Sequence, residues 1–254
     1  MISRRLLLAG ALGAPVGALV AGSRADAARI ILSESSVQTY GPVLAFGDST
    51  SSCYMRDLIR QLKDQRLGPY TFDIQPARSL VRTNARFPSV LQGLAQARSR
   101  GFDPAAFVVA AGINDTWYFG GRPDRARTMI DTLLGTIGED RHVGMLTIYS
   151  RKRGSYYYQL NQAMFTAQAR WPHLRIFDWA ALAKRHPEWH RADGVHFTLG
   201  GSVQRNKYVT TAMVAMAQIA RTDSTTTTST TTTTTTVAPS TSTAAPDRLS
   251  LGWF

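Results

Sequence analysis

The chain has 254 residues, 44% of them hydrophobic and 18% charged, with a formal charge of +12 from 29 Lys+Arg against 17 Asp+Glu. That length bounds it at one domain, or two small ones, and suffices to bury a core without disulfide staples. A single cysteine, Cys53, excludes a disulfide-framed fold and a cysteine-based zinc site within one chain, and the lack of an acidic excess argues against a calcium-loaded scaffold.

The N-terminus reads Met1-Ile2-Ser3-Arg4-Arg5, then a run over 6–21 that is apolar but diluted by glycine and alanine and interrupted by Pro15. Ala25-Asp26-Ala27 comes next as a small-x-small cleavage site, so residues 1–27 are expected to be an export signal removed from the mature protein. The run is short and weak for a stable membrane span. Ser3-Arg4-Arg5 ahead of Leu7 and Leu8 resembles a twin-arginine signal without its trailing lysine, and Sec export stays open. Cleavage removes three arginines and one aspartate, which lowers the charge from +12 to +10. Outside a cell, such a surface would meet wall polymers and lipid headgroups more than nucleic acid, or serve only as a solubilising coat.

In the body, residues 28–221, apolar runs alternate with helical periodicity. Strands are predicted over 43–46, 71–75, 107–111, 143–149 and 174–177. Helices are predicted over 52–66, 88–100, 125–137, 156–170 and 199–220. The 107–111 run is continuously apolar, as in a parallel sheet covered on both faces. Five alternations without repeats argue for one α/β domain with a five-stranded parallel sheet in three layers. Ligands in such sheets sit at the carboxyl ends of the strands. Residues 222–254 read as a disordered Thr/Ser/Pro-rich tail: 225–236 are threonine except Ser229, which leaves too little apolar area to offset chain entropy. The closing 247–254 stretch is too short to be a domain.

Three polar motifs fall at strand ends or loops: Gly47-Asp48-Ser49-Thr50, Gly112-Ile113-Asn114-Asp115 and Asp193-Gly194-Val195-His196. A serine hydroxyl needs an adjacent base to attack. A neutral histidine serves if a carboxylate fixes its tautomer, and Asp193 and His196, three apart around a glycine, can meet locally. An oxyanion then needs donors, which the Ser49 backbone N–H and the Asn114 amide can supply.

These motifs resemble those of the SGNH hydrolases, the GDSL-type esterases, over about residues 42–220. Gly47-Asp48-Ser49 is similar to the nucleophile motif with Thr50 in place of the usual leucine. Gly112-Ile113-Asn114-Asp115 is similar to the GxND motif, and Asp193-Gly194-Val195-His196 to the DxxH motif. The resemblance implies a flavodoxin-like three-layer fold, with Ser49 as nucleophile, His196 as base, Asp193 as orienting acid and Asn114 as oxyanion donor on a loop shaped by Gly112. It also implies a glycine after the second strand as third donor. Here that stretch is Gln75-Pro76-Ala77-Arg78-Ser79, so Ala77 is the candidate, and Arg78 could instead face the pocket and bind an anionic substrate group.

Other readings of these residues are structural. Ser49 could be a helix N-cap, Asp115 a loop-holding residue, and Cys53 a buried thiol. His186, His190 and His196 lie near Glu188 and Asp193, but Pro187 and the lack of an HExxH pattern argue against a metal there. Trp117-Tyr118-Phe119 could form a platform for a sugar or acyl chain, or pack a loop. The basic and aromatic residues of 151–158 suit an anionic glycan better than nucleic acid in an exported protein. The sequence therefore predicts an exported serine esterase working through an acyl-enzyme without a cofactor. Its substrate would be an ester, with acyl groups on wall carbohydrates a first class to test. An O-acyltransferase with the same triad and a non-catalytic wall-binding module are the alternatives.

Overall fold

A computed structural model of the chain describes residues 19–20, 29–83, 86–152 and 154–230. Seven strands form one sheet: β1 (Leu19–Val20), β2 (Ile30–Glu34), β3 (Val43–Gly47), β4 (Tyr70–Ile74), β5 (Ala106–Ala110), β6 (His142–Leu146) and β7 (Leu174–Phe177). Their spatial order is β1-β2-β4-β3-β5-β6-β7. The five strands from β4 to β7 are parallel, as the continuous apolar runs predict. β2 adds an antiparallel edge beside β4 that the sequence reading missed, with β1 paired antiparallel beyond it.

Alternate residues of each strand feed opposite faces. Leu44, Phe46, Phe107 and Val109 pack with helices α2 (Val90–Ser99), α3 (Pro123–Ile137) and α4 (Tyr157–Ala167). Val43, Ala45, Ala106 and Val108 pack on the other face with α1 (Met55–Asp64) and α6 (Leu199–Thr230). Helix α2 starts at a capping box, Ser89 to Gln92, in which each side chain meets the other's backbone N–H. The result is the three-layer α/β/α arrangement expected from the alternation. Strand order reverses between β3 and β5, so the crevice at their carboxyl ends is the topological switch point.

Several boundaries differ from the sequence prediction. The fourth parallel strand, β6, ends at Leu146 rather than residue 149. Beyond it the Asn161 side chain takes both backbone groups of Ile148, accepting from its N–H and donating to its carbonyl at 2.7 Å each, so no neighbouring strand is needed. A short helix, α5 (Trp179–Lys184), was not anticipated; Asp178 caps it by accepting from the Ala181 N–H. Helix α6 runs through Thr230, ten residues past the predicted helix end at 220. Threonine is a weak helix former, so composition alone argued for an earlier end. Residues 231–254 and, apart from Leu19–Val20, the proposed export segment lie outside the described residues. Among the described residues no helix is long and apolar enough to cross a membrane.

Candidate active site

The chain leaves β3 at Gly47 and enters a single 3-10 turn, Ser49–Ser51. Asp48, not Ser49, caps this turn: its carboxylate accepts from the Thr50 N–H at 2.9 Å and the Thr50 hydroxyl at 2.6 Å. Ser49 is thereby the first residue of the turn, half-buried, with a backbone N–H that has no partner within the turn. Its hydroxyl lies 2.9 Å from His196 Nε2. His196 Nδ1 lies 2.9 Å from Asp193 Oδ2, while Asp193 Oδ1 accepts from the N–H groups of Val195 and His196 at 2.8 Å each. Burial pushes the Asp193 carboxyl up, but those two N–H groups and the imidazole outweigh it and hold it at about 2. The three side chains thus form one chain of contacts, carboxylate to imidazole to hydroxyl. The Asp193–His196 loop is seated against the segment after β6, where the Arg151 N–H donates to the Gly194 carbonyl at 2.8 Å.

Gly112 comes after β5 with φ +132°, a conformation that suits glycine, and an added Cβ would come 3.1 Å from Leu160. Its N–H donates to Asp48 Oδ2 at 3.2 Å, which ties the loop carrying Asn114 to the turn carrying Ser49. The Asn114 amide donates one hydrogen to the Arg78 carbonyl at 3.0 Å, leaving its second N–H available. Asp48 is the residue whose role sequence reasoning missed: fully buried, it fixes both loops at once. Arg205 on α6 was missed as well. It is completely buried over the Trp179 ring, and burial drives its guanidinium down to about 10 against the opposing pull of Asp48.

The segment after β4 folds as a β-turn, in which the Arg78 N–H donates to the Gln75 carbonyl at 3.2 Å. Pro76 takes the second position and Ala77 the third, with φ +56°. That is where a turn of this kind ordinarily takes glycine. Ala77 therefore occupies a glycine conformation at a cost of about 1 kcal/mol. It is exposed, and its N–H donates to no other described residue. Arg78 does not face a pocket, which corrects the expected substrate contact. It is fully buried, ion-paired to Asp73 at 2.8 Å and donating to the carbonyls of Asp73 and Pro88. Cys53 is half-buried rather than buried, beside the Ser49 carbonyl.

Asp115 is completely buried and accepts from the Leu80 N–H at 2.9 Å, a second tie between the Asn114 loop and the turn after β4. Burial, helped by the nearby Asp48 charge, pushes its carboxyl up to about 7. The folded state therefore holds a proton that the unfolded state releases near pH 4, and stability falls as pH rises from about 4 to 7. Asp115→Asn is expected to raise the melting temperature by several degrees at pH 8 and to change it little at pH 4, measured by calorimetry at both values.

At the rim, Trp117 is 38% and Tyr118 49% exposed. Lys152 lies over the Trp117 ring and Arg82 over the Tyr118 ring. Phe119, by contrast, is fully buried against the core, so of the three consecutive aromatics two are exposed and one packs. His186 pairs with Glu188 and stacks on Trp189, while His190 is buried between Tyr149 and Phe197. These two do not join His196 as a cluster.

Solved structures share this architecture. The C-terminal catalytic domain of the Streptococcus pneumoniae peptidoglycan O-acetyltransferase A, solved with a methylsulfonyl adduct, is similar with TM-score 0.51 and 20% identity, over 72% of this chain and 96% of that one. TesA is similar with TM-score 0.50 and 17% identity, over 68% of this chain and 98% of that one. A putative SGNH hydrolase from Slackia heliotrinireducens has TM-score 0.48 and 16% identity, over 68% and 97%. At these identities the likeness is one of fold: this chain shares the three-layer α/β/α architecture of the first two structures. No family model matches the chain, and no curated protein matches it in sequence.

Proposed function

We propose that the protein is an SGNH-type serine esterase that cleaves carboxylic esters through an acyl-enzyme. The observation that carries the reading is the Asp193–His196–Ser49 relay, with both contacts at 2.9 Å and at the switch point of the sheet. Ser49 Oγ attacks the ester carbonyl while His196 Nε2 takes its proton, and Asp193 keeps Nδ1–H pointed and balances the imidazolium. The Asn114 amide and the N–H groups of Ser49 and Ala77 receive the negative charge on the carbonyl oxygen. Collapse of the intermediate expels the alcohol, which leaves with the proton from His196. Water then attacks the acyl-Ser49 ester while His196 takes its proton, and His196 returns that proton to Ser49 Oγ as the acid leaves. No step calls for a cofactor.

The partly exposed Trp117 and Tyr118 rings, with Lys152 and Arg82 over them, favour an acylated, anionic carbohydrate as substrate, because aromatic side chains suit a sugar ring and a carboxylate meets the cations. They favour equally a second reading, in which a sugar hydroxyl rather than water receives the acyl group. An alcohol acceptor offered in competition with water separates the two by product ratio. A non-catalytic wall-binding module would have no use for the relay. The Arg4-Arg5 leader pattern and Ala25-Asp26-Ala27 support export of the enzyme, which N-terminal sequencing of the secreted form tests.

Hydrolysis of short and medium p-nitrophenyl esters by the purified protein is the direct test. Asn114→Ala is expected to lower kcat by roughly 10²–10³-fold, the scale for one oxyanion donor. Unchanged kcat would take Asn114 out of the mechanism.

A further inference from the structure

At the other end of the sheet from the catalytic loops, His142, His173 and Asp223 converge. His142 is the first residue of β6, and His173 directly precedes β7, its carbonyl accepting from the Val143 N–H at 3.0 Å. The β6–β7 pairing therefore sets the two imidazoles side by side, edge to face, with ring centroids 4.7 Å apart. Helix α6 brings Asp223 over them, with Oδ2 3.3 Å from His142 Nε2. One ligand atom from each of the three residues lies within 4.8 Å of the other two, the one such His/Cys/Asp/Glu group among the described residues.

From this geometry we infer that His142, His173 and Asp223 form a binding site for a divalent transition-metal ion of the zinc class, which clamps the end of α6 to the sheet. Two imidazoles and one carboxylate are a donor set that zinc takes, with water at a fourth position. Tetrahedral bonds of about 2.0–2.1 Å set ligand atoms about 3.4 Å apart. The His142–Asp223 edge already has that spacing, while 3.3 Å is long for an N–H···O hydrogen bond. The remaining edges close through side-chain rotation, since His173 is only half-buried and Asp223 is exposed. The Arg175 guanidinium nearby donates to the carbonyls of Pro172 and Leu174.

The site would also add to what holds the end of α6. The last core-facing residue of α6 is Ala220, and the turns beyond it are rich in threonine, a weak helix former, yet the helix runs to Thr230. An ion held by Asp223 would anchor those final turns. Strands β3 and β5, five residues long, separate this end from Ser49 and Asn114 by about 16 Å, so the ion would serve structure and leave catalysis alone.

The test uses the untagged full chain, stripped with EDTA and titrated with Zn²⁺ alone in a calorimeter, with thermal unfolding followed in parallel. One equivalent is expected to bind and to raise the melting temperature. His173→Ala and Asp223→Asn, both at surface positions, are expected to weaken binding at least about 100-fold, given that even outer partners of metal ligands are worth 10–100-fold. His186→Ala is expected to change neither. Absence of binding, or equal binding by the His173 and Asp223 variants, would overturn the inference.

Discussion

Ser49→Ala is expected to lower ester turnover by roughly 10⁴–10⁶-fold while leaving the circular-dichroism spectrum and melting temperature unchanged. The hydroxyl is half-buried, and its contact is with His196 Nε2, so its loss removes the nucleophile without removing packing. His196→Ala is expected to cost nearly as much, and the double variant no more than either, because the two groups act as one unit. Asp193, held at about 2, stays ionised throughout the useful pH range, so its carboxylate contributes no limb to the kcat/KM profile there. Equal hydrolysis of p-nitrophenyl esters by the parent and Ser49→Ala would remove the serine mechanism.

Asp73→Ala is expected to destabilise the fold by about 3–5 kcal/mol, measured by urea unfolding at pH 7. Asp73 is 3% exposed on β4 and accepts from both Arg29 and Arg78. Gly93 of α2 makes room for it, since a Cβ there would come 2.8 Å from Asp73 Oδ2. Burial pushes the carboxyl up, but the two guanidinium groups outweigh it and hold it below its usual value. Removing the carboxylate leaves the fully buried Arg78 charge without its counter-ion, and an uncompensated buried charge is what makes such a change costly. Because the folded value is depressed, this contribution is present above the unfolded value near pH 4 and is lost as pH falls below it. The gap between parent and variant should therefore close in acid. Since the Arg78 carbonyl holds the Asn114 amide, a drop in kcat for the folded variant is expected as well. A variant as stable as the parent at pH 7 would show that the pair contributes nothing net.

The candidate site was legible to the degree that its chemistry is local. Asp193 and His196 are three residues apart, so one turn suffices to bring carboxylate to imidazole. Ser49 and Asn114 each come after an apolar strand run, and a parallel sheet places such ends on one rim. Ala77 was placed by analogy, and its positive φ supplies the physical reason that glycine is usual there. Arg78 was misplaced because an arginine beside a site reads equally as a ligand contact or as a buried partner. The decision rests with Asp73, five residues back on the strand and facing inward.

The sequence by itself determined the alternation of strands and helices, the parallel core of the sheet, the strand ends that carry Ser49 and Asn114, and the local pairing of Asp193 with His196. Each of these stems from hydrophobic periodicity or from residues within one turn of each other. Only the tertiary structure decided the antiparallel β2 edge, the length of α6, the burial of Arg78, the work of Asp48 across two loops and the meeting of His142 and His173 with Asp223. All of these depend on contacts between residues tens of positions apart, or on which face of an element a side chain takes, and neither the period of a run nor its composition encodes them.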